Sequence, residues 1–455
     1  MDHSSRYYDI WTLDWRRSEE GNGVKKAAIL VSALALSMSL LVTGCGAKKE
    51  SNKTTSVKKE TAGWCWFQDP RAVYYNGKTY YGYVDNGTPP SLTRASLWVG
   101  CYDHATKTLA KPVCIQSAWE HDDHDAPALH ILPDGRIMAF YAQSPIKPSP
   151  KMRCRISTNP EDISSWGAYT EITDSTWTCY PKVVKTTDGR IYVFYRDTAG
   201  PREPTCYVQS DDNGATWNIA GTTVVDEHTT WPGQFTKVAA QGNKIYIAGT
   251  CVFHGSWRTY KHIYWAMWDG NKWTNHAGDT LTQPLSSLNM EQAFNSDTQG
   301  EGEHTSLIWD MVVDSSGYPH IAFAHNLVDS SGNDTGNHKY YEVRWTGTAW
   351  SATKICDSNH GSIHAGQPVD SGGVCLDQND PDYAYCSVAV NGVLEIQKFH
   401  YSAGAWTKIA DLTSGSAKDN MRPVSPVDSH SPVQCIWMYG DYKTFADYDT
   451  VLKMH

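Results

Sequence analysis

Apolar and polar residues alternate in short segments along most of the chain, and each segment follows a turn. After Asn76-Gly77 the sequence continues into TYYGYV, and after Asp188-Gly189 into RIYVFY. A period of two is typical of β-strands, and Asn-Gly or Asp-Gly pairs are typical of hairpin turns. Seven such units are present, with turns at Asn76-Gly77, Asp134-Gly135, Asp188-Gly189, Gly242-Asn243, Ser316-Gly317, Asp380-Pro381 and Ser429-His430.

A second hairpin turn follows in each unit and often closes with Trp. These turns begin at Tyr102 or end at Trp166, Trp217, Trp273, Trp350 and Trp406, with a short last one at Tyr448-Asp449-Thr450. The segment from Ser210 to Trp217 has the pattern of an Asp-box, in which the aspartate ties the hairpin and the Trp packs between sheets. We give this motif a structural role.

Two hairpins per unit predict a four-stranded antiparallel sheet, and residues 63–455 divided by seven give about 56 residues per unit. The chain has 19 Trp and 26 Tyr but only 19% charged residues, which excludes a helical bundle. We therefore predict an all-β fold, a single seven-bladed β-propeller of four-stranded antiparallel blades. Six or eight blades remain alternatives, because the last two repeats are the least clear.

The first 62 residues have a different character. An apolar run from Ala27 to Gly44 follows Lys25-Lys26 and ends at Cys45, which resembles a bacterial lipoprotein signal. We predict an upstream extension and signal peptide over 1–45, translation from Val24, a lipid on Cys45, a flexible tether over 46–62 and the propeller over 63–455. The expected location is the extracytoplasmic side of a bacterial cell envelope, with the lipid anchor as the only membrane contact.

The net charge of −10 excludes a general nucleic-acid binder, since such proteins need a basic surface. We expect a monomer. Of the twelve Cys residues, all but Cys45 are scattered without a C-x-x-C motif, so no disulfide pairing can be assigned.

One mouth of the propeller is predicted to carry the chemistry. In each blade the start of the innermost strand and the end of the second strand share this mouth, and an X-Pro pair recurs at the first position. Arg196 is the one charged residue at the end-of-second-strand position, where the aligned units have Val84, Ala142, Thr250 and Asn326. Tyr180 opens the same blade, and His124 precedes the neighbouring blade. We expect His124, Tyr180 and Arg196 to converge.

This set suits β-elimination next to a uronate. Arg196 would pair with the sugar carboxylate and stabilise the enolate-like charge that forms when the C5 proton leaves. His124 or Tyr180 would take that proton, and Tyr180 would donate a proton to the departing O4. We expect the reaction to require no cofactor.

Three segments resemble the family of secreted proteins with bacterial-neuraminidase-type repeats that includes the propeller ulvan lyases. These segments are GWCWFQDPRAVYYNGKTYYGYV, DDHDAPALHILPDGRIMAFY and CYPKVVKTTDGRIYVFYR, and the resemblance extends from about Trp64 to at least Trp273. It implies a seven-bladed propeller that cleaves an acidic polysaccharide by β-elimination, with His124, Tyr180 and Arg196 at matching catalytic positions.

The chain departs from these lyases at two positions. It has Gln143 near the place of a second His, and Phe235 where the lyases look to carry an additional Tyr. We predict both as substrate-binding residues, together with Arg71 and Asp123. The expected partner is an acidic polysaccharide, uronate-containing and rhamnose-linked.

Two other functions remain open. The first is a glycoside hydrolase such as an α-L-rhamnosidase on the same fold; Arg71 is similar to the first arginine of sialidases, but no arginine triad is evident. The second is a non-catalytic glycan-binding lipoprotein. A structural calcium or zinc ion is also left open, and candidate zinc ligands are His304, His325, His360, His364 and Cys356.

Overall fold

The structure is a computed structural model. It describes residues 55–56, 61–87, 94–143, 151–200, 202–227, 234–252, 260–298, 303–329, 333–364, 367, 369–428 and 433–455. The predicted start at Val24, the signal peptide and the lipid acceptor Cys45 lie outside the described residues. Within the described ranges, no helix is both long enough and apolar enough to cross a membrane.

The described residues form seven antiparallel sheets arranged as the blades of a β-propeller, which confirms the predicted fold class. Blades 1 to 4 follow one another along the chain. Blade 1 contains β2 (Ala72–Tyr75), β3 (Lys78–Val84), β4 (Ala95–Asp103) and β5 (Thr108–Leu109), and β6 (Val113–Trp119) also pairs with β4. Blade 2 contains β7 (Ala128–Ile131), β8 (Ile137–Tyr141), β9 (Arg153–Ile156) and β10 (Thr170–Glu171). Blade 3 contains β11 (Thr178–Lys185), β12 (Ile191–Asp197), β13 (Thr205–Ser210) and β14 (Asn218–Val225). Blade 4 contains β15 (Phe235–Gln241), β16 (Lys244–Val252), β17 (Tyr260–Trp268) and β18 (Trp273–Thr274), and β19 (Glu291–Phe294) also pairs with β17.

The last three blades complete the ring. Blade 5 contains β20 (Glu303–Val313), β21 (Pro319–Val328), β22 (Asp334–Trp345) and β23 (Trp350–Asp357). Blade 6 contains β24 (Val374–Leu376), β25 (Tyr383–Val390), β26 (Val393–Ser402) and β27 (Ala405–Asp411). Blade 7 contains β28 (Asp419–Val424), β29 (Ile436–Thr444), β30 (Asp447–Met454) and, from the other end of the chain, β1 (Thr55–Ser56). Two short 3₁₀ turns span Asp123–Asp125 and Ser296–Thr298.

Blade 7 is closed by two strands that are far apart in the sequence, β1 and β30, which the sequence pattern did not predict. Thr55 pairs with Met454 and Ser56 with Lys453 in antiparallel register. The strand β1 therefore lies inside the segment predicted as tether, and described structure begins before Gly63. The predicted last hairpin at Tyr448-Asp449-Thr450 is instead part of β30, because β1 supplies the fourth strand and makes a further hairpin unnecessary.

The core lies between neighbouring sheets, as the aromatic composition indicates. At the predicted Asp-box, Asp212 accepts hydrogen bonds from the backbone nitrogen and hydroxyl of Thr216, over 2.8 and 2.6 Å. The ring of Trp217 meets Phe140 of blade 2 edge-on, with centroids 5.7 Å apart. This turn thus joins blades 2 and 3, on the face opposite the starts of the innermost strands.

Candidate active site

A bulge places Tyr180 at the mouth of blade 3. The pairing of β11 with β12 shifts register between Cys179 and Lys182, and Tyr180 has a φ of +59°. Arg422 repeats this arrangement in blade 7, with a φ of +51° next to a register shift in the pairing of β28 with β29. Because both residues precede a proline, the recurring X-Pro pair marks two places where the innermost strand leaves its regular pleat and re-aims a side chain.

The segment that precedes blade 1 forms the floor of the mouth. Trp66 stacks on Trp309 from the innermost strand of blade 5, with centroids 4.1 Å apart and planes inclined by 13°. Trp64 donates its indole N–H to the backbone carbonyl of Arg422 over 3.0 Å. Phe67 stacks on Phe235 of blade 4 at 4.2 Å and lies 4.9 Å from the ring of Tyr180. One short aromatic segment therefore contacts blades on several sides of the propeller axis.

His124 lies in the 3₁₀ turn before blade 2, and its ring centroid is 5.5 Å from that of Tyr180. Its Nδ1 is 2.6 Å from Oδ1 of Asp122 and 3.1 Å from Oδ1 of Asp123. Burial disfavours the charged imidazolium, but the neighbouring Cys65 and Tyr180, followed by the two carboxylates, outweigh it. The pKa of His124 is therefore raised well above its usual value.

Asp123 is fully buried and is held by blade 7. Oδ2 of Asp123 accepts hydrogen bonds from the guanidinium of Arg422 and from the hydroxyl of Tyr442, the latter over 2.7 Å. The same hydroxyl accepts a hydrogen bond of 2.7 Å from Arg422. Burial alone would raise the pKa of Asp123, but the charges of Arg422 and His124 lower it. Asp123 is thus an ionised support for His124, and its predicted contact with substrate stays a prediction.

Arg196 lies at the end of β12 with a nearly buried side chain. Its guanidinium carbon is 4.0 Å from the ring centroid of Phe235 and 5.2 Å from that of Tyr180. Its NH1 is 3.2 Å from Oε2 of Glu203. Its NH2 is buried and has no hydrogen-bond partner among the described residues, and a buried donor in that state is a feature of ligand sites.

Tyr260 completes the aromatic wall. Its ring meets that of Phe235 edge-on at 5.2 Å, and its backbone nitrogen donates to Thr305 over 3.0 Å. Burial raises the pKa of Tyr260 above its usual value. A tyrosine is therefore present beside Phe235, although it comes from the start of the third strand of blade 4 rather than from the position of Phe235 itself.

Arg71 and Gln143 fit the expected site less well. Arg71 is 2% exposed, and its guanidinium is held by the backbone carbonyl of Cys65 at 3.3 Å and by Asp69 at 3.6 Å. These contacts give Arg71 a structural role, and its predicted contact with substrate stays a prediction. Gln143 is half-buried beyond the end of β8, and the described contacts do not connect it with His124 or Tyr180.

Sequence reasoning missed several residues of this site, namely Cys65, Phe67, Lys182, Glu203, Tyr260, Arg422 and Tyr442. Arg422 had a visible signal, because Arg422-Pro423 belongs to the same X-Pro series as Tyr180-Pro181. Glu203 and Tyr260 have no comparable pattern, since one lies in a loop and the other opens a third strand.

One group of described residues could hold a metal ion. Cys65, Asp123 and His124 each offer a ligand atom, and these atoms lie within 4.8 Å of one another. The donor types would suit zinc. Arg422 already places a positive charge against Asp123, however, so we assign the group to hydrogen bonding and proton transfer.

The residues proposed as zinc ligands do not form such a group in the described parts of the chain. His304 and His325 stack with centroids 4.6 Å apart. His360 and His364 lie in the connection between β23 and β24.

The fold and the site define a BNR-repeat propeller. The BNR repeat-containing family matches residues 78–358, more than half of the chain, and the protein belongs to this family. No curated protein matches the chain.

Several solved structures have the same fold. A polysaccharide lyase PL25 ulvan lyase is 18% identical with a TM-score of 0.65, over 89% of this chain and 95% of its own. A PL25 ulvan lyase bound to -[GlcA(1-4)Rha3S]- is 18% identical with a TM-score of 0.64, over the same shares. The polysaccharide lyase Uly1 is 12% identical with a TM-score of 0.58, over 85% of this chain and 89% of its own.

Proposed function

We propose that the protein is a polysaccharide lyase that cleaves a uronic-acid-containing glycan by β-elimination. The observation that carries this proposal is the convergence of His124, Tyr180 and Arg196 at one mouth. The ring of Tyr180 is close to both other groups, 5.5 Å from the imidazole centroid and 5.2 Å from the guanidinium carbon. These spacings leave the three groups able to act on neighbouring atoms of one sugar ring.

Arg196 supplies the charge that β-elimination needs. Removal of the C5 proton of a uronate pushes negative charge onto the carboxylate, and a guanidinium bound there stabilises that charge. The guanidinium carbon of Arg196 lies 4.0 Å from the ring centroid of Phe235, and its NH2 has no hydrogen-bond partner among the described residues. The group is therefore pre-oriented before substrate arrives.

The two proton-transfer roles divide between His124 and Tyr180. Burial raises the pKa of Tyr180 well above its usual value, so its phenol keeps its proton. Tyr180 can therefore act as the proton donor to O4. A neutral His124 can accept the C5 proton, and the carboxylates of Asp122 and Asp123 then stabilise the imidazolium that forms. This assigns His124 as base and Tyr180 as acid, where the sequence left the base open between them.

The carboxylates near the mouth argue against a glycoside hydrolase. Most hydrolases use two carboxyl groups on either side of the scissile bond, one of them as nucleophile or base. Here Asp122 bonds to His124, Asp123 to Arg422 and Glu203 to Arg196. These three carboxylates are thus each paired with a guanidinium group or an imidazole.

We propose a glucuronate–rhamnose glycan as the substrate. The PL25 ulvan lyase bound to -[GlcA(1-4)Rha3S]- shares the fold of this chain and supports the proposal. We further propose that the reaction needs no cofactor, because the side chains present include an acceptor for the C5 proton, a donor to O4 and the counter-charge for the carboxylate. The sequence before Gly46 supports a lipid anchor on Cys45 and a place in the cell envelope.

The test is incubation of the purified protein with uronate-containing polysaccharides, including ulvan. Elimination leaves an unsaturated uronyl end that absorbs ultraviolet light, and we expect this absorbance to grow with ulvan. Reducing sugar released without the absorbance would identify a hydrolase. Binding without any release would identify a glycan-binding module. The variant H124A is the negative control, with retention of the β-sheet circular dichroism as evidence of folding.

A further inference from the structure

Glu203 is an acidic residue at the group proposed to bind an acidic sugar. It lies in the loop between β12 and β13, and its φ of +46° is in the left-handed region. Its Oε2 is 3.2 Å from NH1 of Arg196, and a quarter of its side chain is exposed. In the absence of substrate, the carboxylate of Glu203 therefore balances the charge of Arg196.

Arg196 has one N–H-bearing nitrogen, NH2, that is not hydrogen-bonded to any described residue. Its planar guanidinium offers N–H groups on more than one edge, and Glu203 uses NH1 while NH2 has no partner among the described residues. A uronate carboxylate bound there would put two carboxylates against one guanidinium. In a site with little water, two neighbouring carboxylates do not both stay ionised, and one of them takes a proton.

The surroundings of Glu203 determine which carboxylate is protonated. Three titratable groups interact with it: Arg196, Cys179 and Tyr260. Burial raises the pKa values of Cys179 and Tyr260, so both are neutral and Arg196 is the only cation of the three. Arg202, one residue before Glu203, points to Asp226 instead, at 3.2 Å.

Glu203 is already poised to accept a proton. Burial raises the pKa of Glu203, and Arg196 opposes this effect only in part. A bound uronate would add a second negative charge near Glu203, and Arg196 would then interact with two carboxylates instead of one. Both changes raise the pKa of Glu203 further and favour its neutral acid form.

We propose that Glu203 takes up one proton when a uronate carboxylate binds at Arg196, and that the resulting carboxylic acid donates a hydrogen bond to that carboxylate. One proton passes from solvent to Glu203 for each uronate bound, and no covalent bond forms or breaks. This inference rests on the proposed function, and it assigns Glu203 as a substrate-binding residue that selects for the free carboxylate of the sugar.

Two physical consequences follow. Apparent affinity falls about tenfold for each unit of pH between the pKa of Glu203 in the free protein and its higher pKa in the complex, because binding in this range takes up one proton. The protonated Glu203 also leaves the full charge of Arg196 to the uronate, which favours loss of the C5 proton.

The test is isothermal titration calorimetry of Y180F with ulvan oligosaccharides, because Y180F removes the proton donor and suppresses elimination during the measurement. We compare titrations at one pH in phosphate and in Tris. The two measured binding enthalpies differ by the number of protons exchanged, multiplied by the difference between the ionisation enthalpies of the two buffers. We expect uptake of about one proton per bound uronate for Y180F and none for the double variant Y180F/E203Q. The matched control is Y180F/E161Q, since Glu161 is also a partly exposed glutamate paired with a cation, 3.3 Å from Lys78. This control is expected to keep the proton uptake.

Equal heats in the two buffers for Y180F would overturn the inference, as would full proton uptake in Y180F/E203Q. If the double variant does not fold, the pH dependence of KM for the wild-type protein decides, and a KM that is constant from about pH 5 to about pH 8 contradicts it. Failure of the proposed function looks different: the wild-type protein then produces no unsaturated ends from ulvan at any pH. Elimination without proton-coupled binding would leave the lyase proposal intact and remove only the role of Glu203.

Discussion

The side-chain nitrogen of Lys182 donates a hydrogen bond of 3.2 Å to the backbone carbonyl oxygen of Tyr180. Tyr180 is held in the left-handed region of φ, which for a bulky residue costs on the order of 1–3 kcal/mol. Lys182 is itself buried; burial and then repulsion from Lys237 lower its pKa to about 7. A buried amine thus fixes the backbone of the proposed proton donor.

Replacing Lys182 with Met should therefore misplace the phenol of Tyr180. We expect kcat on ulvan to fall about 10- to 100-fold with little change in KM, because orientation and not ground-state binding is lost. K182R should recover part of the rate, since Arg can donate to the same carbonyl. The control is K185M, on the same strand but half-buried near its other end. Equal kcat values for K182M and K185M would contradict a positioning role.

The raised pKa of His124 predicts opposite effects of pH on rate and on stability. The base form of His124 becomes more abundant as pH rises through the raised pKa, so kcat measured at saturating substrate should increase from neutral to alkaline pH. The folded protein binds this proton more tightly than the unfolded chain does. Its stabilisation is complete below about pH 6.5 and is lost as pH rises through the folded-state pKa.

Melting temperatures measured across this range should fall with pH in the wild-type protein and fall less steeply in H124Q. A kcat at saturating substrate that decreases from about pH 6.5 upward while the protein stays folded would exclude neutral His124 as the base.

Arg196 is expected to contribute to turnover more than to folding. R196A should lower kcat/KM by about 100-fold or more, because one oriented donor to a developing oxyanion is worth about that much. R196K should restore little, since an ammonium cannot offer the same planar set of donors. Full activity of R196A at an unchanged melting temperature would remove Arg196 from the site.

Substitutions at Tyr180 and Gln143 should affect different steps, with Tyr180 needed for proton transfer and Gln143 for substrate binding. Y180F is expected to reduce elimination by about 10²- to 10⁴-fold, the range of a lost general acid. Q143A is expected to raise KM while leaving most of kcat, because an amide exchanges no proton at working pH. Steady-state kinetics on ulvan check both. Near-normal turnover by Y180F would show that the proposed proton path is wrong.

The buried ion pair of Asp123 and Arg422 should contribute strongly to the free energy of unfolding. D123N leaves the guanidinium of Arg422 buried without its counter-charge, which typically costs about 3–5 kcal/mol. The control D441N changes an exposed carboxylate and should stay within about 0.5 kcal/mol. Chemical denaturation measures the free energy of unfolding of both variants.

The lowered pKa of Asp123 also predicts a pH dependence of stability. The stabilisation that Asp123 contributes to the folded protein is present above its unfolded-state pKa and is lost as pH falls through its folded-state pKa.

Much of the fold follows from the local pattern of the sequence. Turn pairs such as Asp188-Gly189 fix where each first hairpin lies, and an alternating strand needs only its neighbours in the chain to form. Ring closure is different, because β1 and β30 lie at opposite ends of the chain. No local preference marks Thr55–Ser56 as a strand, and only pairing with Met454 and Lys453 makes it one.

The same division applies to the site. Tyr180 and Arg196 could be found because the repeat aligns them with positions in other blades. Asp123 could not be given its role from sequence, since Arg422 and Asp123 are 299 residues apart and meet only in the closed ring. Glu203 is in a loop without a repeat pattern, so only the folded chain brings it to Arg196.

The closure of blade 7 has a consequence for how the protein loses activity. In this blade β1 pairs with β30, and the blade also supplies Arg422 and Tyr442 to Asp123. Opening of the β1–β30 pairing can therefore reach the proton-accepting imidazole while six other blades stay intact. On gradual heating, turnover should disappear before the β-sheet circular dichroism does. A circular permutant whose new ends lie between blades 4 and 5, with the old ends covalently linked, would delay inactivation and make the two transitions coincide.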